Sequence, residues 1–60
     1  MWLQLTSVDG NPCWVNIDLA AQMIRAGDTT RIYFGADSNF CTVKEDPPRI
    51  LGMIDKLAAH

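Results

Sequence analysis

Apolar and polar residues alternate in several short stretches within the first 45 positions of the chain. This period of two is typical of β-strands that bury one face. In a first strand over residues 1–7, Leu3 and Leu5 fall on one side and Trp2 falls on the other. The pattern therefore predicts a sheet with one apolar face directed at a core.

Turn signals divide this alternation into further strands. Asp9-Gly10 is the commonest signal for a two-residue hairpin turn, Gly27-Asp28 is a second turn, and residues 35–39 have the composition of a loop. Pro12 is compatible with the start of a strand, though not with its middle. These breaks leave a second strand from residue 12 or 13 to residue 17, another over 29–34 and a last one over 40–45.

The segment 18–26 has two interpretations. Asn16 or Asp18 can cap a single helical turn, after which residues 22–26 extend into a third strand. The alternative is a helix over 18–26, because some of its apolar residues recur at helical spacing. We favour the turn followed by a short strand.

After residue 45 the period changes from two to that of a helix. Asp46 is a good N-cap, and Pro47 suits the first helical position, where its missing N–H carries no cost. Gly52 costs up to about 1 kcal/mol relative to alanine, so the helix should depend on docking for its stability. The sequence predicts a helix over about 47–58 with an apolar stripe of Ile50, Met53, Ile54, Leu57 and Ala58.

Together these elements predict one small domain over 1–60: a mainly β α+β fold, with an antiparallel meander of four to five strands over about 1–45 and one C-terminal amphipathic helix. The core face of the sheet should contain Leu3, Leu5, Cys13, Val15, Ile17, Ile32, Phe34, Cys41 and Val43. The helix is the obvious cover for that face.

The opposite face collects aromatic residues where an antiparallel sheet normally presents polar ones to water. Four large rings exceed the apolar patch that a monomer usually exposes. Curling into a small barrel, or cover by loops, is the competing explanation. We expect this surface, or a sheet edge, to bind a second copy of the chain or another protein, through Trp2, Trp14, Tyr33 and Phe40, with Arg31 beside them.

The length of the chain also favours association. Sixty residues form a marginal domain that usually needs a disulfide, a metal or a partner subunit. Cys13 and Cys41 are 28 positions apart and the one histidine is the last residue, a poor basis for a zinc site. We expect the cysteines to act as small buried hydrophobic residues, with no metal and no cofactor.

Other functional classes find less support. No nucleophile elbow or phosphate-binding glycine loop is present, and His60 at a frayed end is poorly placed for a base, so we expect no enzymatic activity. A net charge of −2 argues against nucleic-acid binding, although exposed aromatics with Arg31 could stack single-stranded bases. No apolar run reaches the roughly 18 residues of a membrane span, and no signal peptide is evident, so we expect a cytoplasmic protein.

The chain as a whole resembles the FlbD/SwrD family of small flagellar and swarming-motility proteins. The resemblance rests on an ordered set of short matches: Leu3-x-Leu5-Thr6, Asp9-Gly10, Val15-Asn16-x-Asp18, Asp28-Thr29-x-x-Ile32, Gly35, Val43-Lys44-Glu45, and a terminal helix with Ile50 and Ile54. It implies a role in support of motility without catalysis, and it transfers no catalytic or ligand residue. The expected function is a non-enzymatic, homo-oligomeric interaction or accessory protein linked to motility, and the alternative is a single-stranded nucleic-acid-binding β module.

Overall fold

The computed structural model describes residues 1–35 and 39–58, and within them it confirms the predicted fold class. Five strands are followed by one C-terminal helix. The elements are β1 (Trp2–Thr6), β2 (Pro12–Asn16), a 3₁₀ turn (Ile17–Leu19), β3 (Ala20–Ala26), β4 (Thr29–Phe34), β5 (Phe40–Val43) and α1 (Pro47–Ala58). Residues 36–38 of the predicted loop, and His60, lie outside the described residues.

The strands form two antiparallel sheets where the sequence pattern suggested one continuous meander. β1 pairs with β2, and β3, β4 and β5 pair in that order. The ladder is interrupted between β2 and β3 because the 3₁₀ turn follows β2 directly. The Asn16 side chain accepts a hydrogen bond from Asp18 N–H and so caps this turn, which redirects the chain.

The segment 18–26 therefore follows the interpretation we favoured, a helical turn followed by a strand. The strand is longer than expected, since it begins at Ala20 instead of residue 22. Its register against β4 shifts between Ala20 and Gln22, as at a β-bulge, and is regular from Gln22 to Ala26.

The first hairpin has a three-residue loop, one residue longer than the Asp9-Gly10 signal suggested. Ser7 N–H donates to Asn11 O at 2.9 Å, and Gly10 N–H donates to Ser7 O at 2.9 Å. Gly10 has φ +90°, a conformation that side-chain-bearing residues rarely adopt. The glycine is thus required, but it occupies the last of three loop positions.

The two sheets are joined at one corner, where the end of β1 meets the end of β5. Ser7 forms a β-bridge with Val43, and Lys44 N–H donates to Thr6 O at 2.8 Å. The carboxylate of Glu45 accepts from both Thr6 N–H and Thr6 Oγ1. This corner is the hydrogen-bonded link between the two sheets.

The core lies between the sheets and α1. The buried side chains are Leu3, Leu5, Val15, Ile32, Val43, Ile50 and one polar residue, Thr30. Thr30 is accommodated because its Oγ1 donates to Glu45 O at 2.7 Å. The other predicted core positions, Cys13, Ile17, Phe34 and Cys41, are half-buried and pack against this cluster.

Helix α1 begins as predicted, with the Asp46 carboxylate accepting from Arg49 N–H at 3.0 Å. Burial then declines along the apolar stripe. Ile50 is fully buried, Met53 and Ile54 are half-buried, and Leu57 is 44% exposed. Ile50, Met53 and Ile54 pack on the core, and Leu57 lies beyond it. Within the described part of the chain, no helix combines the length and the apolar character needed to cross a membrane.

Candidate interaction surface

The outward side of the β1–β2 hairpin carries both tryptophans of the chain. Trp14 lies opposite Gln4, and Trp2 lies opposite Asn16, so the two indoles are diagonal neighbours on one face. Trp2 is 64% exposed and Trp14 is 60% exposed, while Leu3, Leu5 and Val15 on the other side of the same strands are buried. We call the surface formed by Trp2 and Trp14 the tryptophan face.

An apolar groove of about 340 Å³ runs beside Trp14, between the hairpin and the three-stranded sheet. Residues of β2, the 3₁₀ turn, β4 and β5 line this inter-sheet groove: Cys13, Trp14, Val15, Asn16, Leu19, Phe34 and Cys41. Leu19 at its rim is 65% exposed. The groove and its rim therefore extend the apolar surface from Trp14 to the start of β3.

A second groove, of about 330 Å³, lies beside Trp2. It forms where β1 meets the C-terminal half of α1, and Met53 and Leu57 contribute its helical wall. Lys56 also lines it, so one edge is charged. The exposed end of the helical stripe is thus continuous with the tryptophan face and not an isolated apolar residue.

The remaining predicted residues form a separate cluster on the three-stranded sheet. Tyr33 pairs with Phe40 across β4 and β5, with ring centroids 5.2 Å apart and ring planes inclined at 38°. The Arg31 guanidinium carbon lies 5.2 Å from the centroid of the Phe40 ring, which is a cation–π contact. Phe40 is 48% exposed, so this Arg31 cluster is open on its outer side.

The expectation of one aromatic face is therefore corrected. Because the 3₁₀ turn separates β2 from β3, Trp2 and Trp14 lie on one sheet, whereas Arg31, Tyr33 and Phe40 lie on the other. The residues of each set lie close to one another, but the two sets form separate surfaces.

Three exposed apolar residues adjoin these surfaces and were not assigned to them from the sequence: Leu19, Ile24 and Leu57. Leu19 and Ile24 lie in the segment whose periodicity was ambiguous. Leu57 belongs to the predicted helical stripe. Its exposure arises because the helix extends beyond the core, which depends on tertiary packing. The interpretation of residues 18–26 as a turn and a strand was the one sequence signal for the exposure of Leu19. In that interpretation Leu19 does not lie on the buried face of a helix.

Both cysteines are free and line the inter-sheet groove. Burial raises the pKa of Cys13, and the negative charges of Glu45 and Asp9 raise it further. Burial, followed by the nearby Cys13, raises the pKa of Cys41. Both thiols are therefore protonated at neutral pH, which makes them weak nucleophiles and weak metal ligands.

A third cavity, of about 490 Å³, lies at the start of α1 and is polar. Its charged residues balance in number, with Arg25, Lys44 and Arg49 against Asp28, Glu45 and Asp46. Equal numbers of both signs give little net attraction for an ion of either sign. Among residues 1–35 and 39–58, no three metal-ligating side chains lie close enough together to hold a metal ion.

Comparison with known proteins adds no functional constraint to this geometry. No family model, no curated protein and no solved structure matches the chain.

Proposed function

We propose that the chain is a small non-enzymatic interaction or accessory protein that works as a homo-oligomer, with a second copy covering the tryptophan face. The observation that supports this most directly is the exposure of both indoles, 64% for Trp2 and 60% for Trp14. Tryptophan is enriched at the centres of protein interfaces and among the residues that dominate binding energy. Two adjacent indoles with an apolar groove on each side form such a centre.

The area required for a stable contact is a modest share of the surface of this chain. A standard interface buries about 800 Å² on each partner, which is roughly a fifth of the 4140 Å² surface of this chain. Each large aromatic side chain can bury about 150–250 Å², so the exposed parts of the two indoles supply a substantial share. Leu19 and Leu57 at the two grooves add to the same continuous surface.

The decisive experiment is sedimentation equilibrium of the wild-type chain and of Trp14→Ala over a range of concentrations. Loss of a central indole should weaken self-association by about 2 kcal/mol, the scale of an interface hot spot. Val8→Ala is the matched control, because Val8 is 56% exposed in the hairpin loop, away from the grooves. A wild-type chain that stays monomeric at high micromolar concentration overturns the proposal.

The biological setting that we propose is the cytoplasmic support of motility, as the FlbD/SwrD resemblance implies. Two of the residues that carry the resemblance, Thr6 and Glu45, form the corner that joins the sheets in this chain. Deletion of the gene in its host should reduce swarming, and the wild-type gene should restore it. Normal swarming in the deletion strain would refute the link to motility without affecting the question of self-association.

The Arg31 cluster favours a second candidate function, the binding of single-stranded nucleic acid. A base could stack on the exposed Phe40 ring while the Arg31 guanidinium approaches a phosphate. Binding of this kind should be strongly salt-dependent and should be lost in Phe40→Ala. Absence of any change in fluorescence anisotropy of a labelled oligonucleotide, titrated at low salt, excludes this function.

A further inference from the structure

The longest strand of the fold, β3, has an unpaired edge. It spans seven residues and pairs with β4 alone among the described strands. Leu19 immediately precedes β3 and lies at the rim of the inter-sheet groove. A row of backbone groups without a ladder partner is a template for another strand.

This edge lacks two of the features that normally block pairing, proline and lysine, although helix α1 contacts the strand. Proteins protect free edges with proline, lysine, bulges or a covering element. The strand contains no proline and no lysine, and Arg25 is its one charged residue. The register shift lies at the Ala20 end, which leaves residues 22–26 regular. Ile24 on this strand is 41% exposed.

We propose that β3 pairs antiparallel with β3 of a second copy, forming a continuous six-stranded sheet across the dimer. This inference rests on the proposed self-association and specifies how it is built. A two-fold axis perpendicular to the sheet places the same strand beside itself in the antiparallel sense. It also keeps each sheet face on its own side, so Ile24 and the Arg31 cluster of both copies lie on one common face.

The charges on the strand allow this pairing. With the axis at Met23, Arg25 lies opposite Ala21 of the other copy, and with the axis at Ile24 it lies opposite Met23. Two arginines face each other only if the axis passes through Arg25. A second copy therefore fits this edge without a clash of like charges.

The area required for a stable dimer is larger than the edge of β3 alone can bury. A seven-residue strand is about 24 Å long, and a strip of that length alone falls well short of the roughly 800 Å² needed on each partner. Leu19 immediately precedes the strand and lies with Trp14 on the same groove. A second copy paired at β3 would lie next to Leu19, and further contact with Leu19 and Trp14 would supply the missing area.

The test is pulsed electron paramagnetic resonance on single nitroxide labels in a Cys13→Ser, Cys41→Ser background. The labels are placed one at a time at exposed positions along the strand and its flanks: Leu19→Cys, Gln22→Cys, Ile24→Cys and Asp28→Cys. In an antiparallel self-paired strand, the distance between the two labels is shortest near the axis. It increases by about 7 Å for each residue away from the axis, twice the rise per residue.

The outcomes separate this inference from the proposed function. A V-shaped distance profile along β3, with its minimum between residues 22 and 24, supports edge pairing. A dimer by sedimentation with a flat or monotonic profile overturns edge pairing and leaves association through the tryptophan face standing. A monomer at high micromolar concentration, with no inter-label distance, overturns both. A wild-type monomer that binds a foreign extended peptide at β3 assigns the edge to another protein and overturns the self-pairing.

Discussion

Thr6 and Glu45, 39 positions apart in the chain, are joined by two hydrogen bonds. Thr6 N–H donates to Glu45 Oε1 at 2.8 Å, and Thr6 Oγ1 donates to Oε2 at 2.9 Å. Thr6 ends β1 and Glu45 follows β5, so a single carboxylate connects the two sheets. The backbone of Glu45 is also held, because its carbonyl accepts from the buried Thr30 hydroxyl.

Thr6→Val should destabilise the fold by about 1–2 kcal/mol. The substitution keeps the shape and the backbone donor but removes the hydroxyl from a charged, partly buried acceptor. Thr6→Ser keeps a donor and should recover most of the loss. Urea unfolding followed by tryptophan fluorescence measures both variants, and equal stability of Thr6→Val and wild type would contradict the role assigned to this corner.

The stability of the fold should decrease in acid partly through Glu45. Partial burial acts to raise the pKa of Glu45, but the hydrogen bonds from Thr6, together with a backbone hydrogen bond at Glu45 and the positive charge of Arg49, outweigh burial and hold this pKa below its ordinary value. A pKa that is lower in the folded state means that the carboxylate stabilises the fold above the unfolded-state pKa of about 4.3. That contribution is lost as the pH falls through the folded-state pKa.

Glu45→Gln should therefore show a shallower loss of unfolding free energy than wild type between about pH 5 and pH 2. Asp9 titrates in the same window, because a hydrogen bond from the Ser7 hydroxyl lowers its pKa. Asp9→Asn is thus the necessary comparison. Identical pH profiles for wild type and Glu45→Gln, measured by urea unfolding at each pH, would refute the prediction.

Ile50 should be the residue of α1 most sensitive to truncation. It is fully buried, so Ile50→Val should cost about 1 kcal/mol and Ile50→Ala about 3 kcal/mol. The loss in Ile50→Ala is large relative to the stability of a small domain. Leu57→Ala on the same helix should cost less than about 1 kcal/mol in the monomer, because Leu57 is 44% exposed. Thermal unfolding followed by circular dichroism distinguishes these variants, and a larger loss at Leu57 than at Ile50 would contradict the docking of α1.

Substitution by alanine should change the stability of the fold in opposite directions at two glycines. A Cβ at Gly27 or at Gly52 meets no atom within 4 Å, so the difference is one of backbone conformation. Gly27 has φ +65°, and alanine there should cost about 1 kcal/mol. Gly52 lies within α1, where alanine should stabilise the fold by about 0.5–1 kcal/mol. Denaturant midpoints for the two variants that shift in the same direction would contradict this assignment.

The fold was largely predictable because its signals are local. Alternation and turn signals located four of the strands and most of the inward-facing residues, the strand in 18–26 was the favoured of two interpretations, and the buried Thr30 was missed. Asp46 with Pro47 located the start of the helix. The separation into two sheets was not predictable from alternation, since that pattern shows which face of a strand is buried but not which strands pair. It depends on the Asn16-capped turn and on the distant contact between Thr6 and Glu45.

The exposure of the two tryptophans was predictable, but the arrangement of the candidate surface was not. Trp2 and Trp14 are exposed neighbours, as their positions in the two strands indicated. Their separation from Tyr33 and Phe40 follows from the division of the sheet. The grooves depend on where α1 ends relative to β1 and on how the hairpin faces β4, which are properties of the packed chain.

The pairing of each strand with its neighbour in sequence has a kinetic consequence. Hairpins between adjacent segments close within about 1–10 microseconds, and chains dominated by such contacts fold quickly. Formation of the hydrogen bonds between Thr6 and Glu45 instead requires closure of a loop 39 positions long, which carries a greater entropic cost. We expect the ladders to assemble first and the closing of this corner to limit the refolding rate, so that Thr6→Val slows refolding more than it accelerates unfolding.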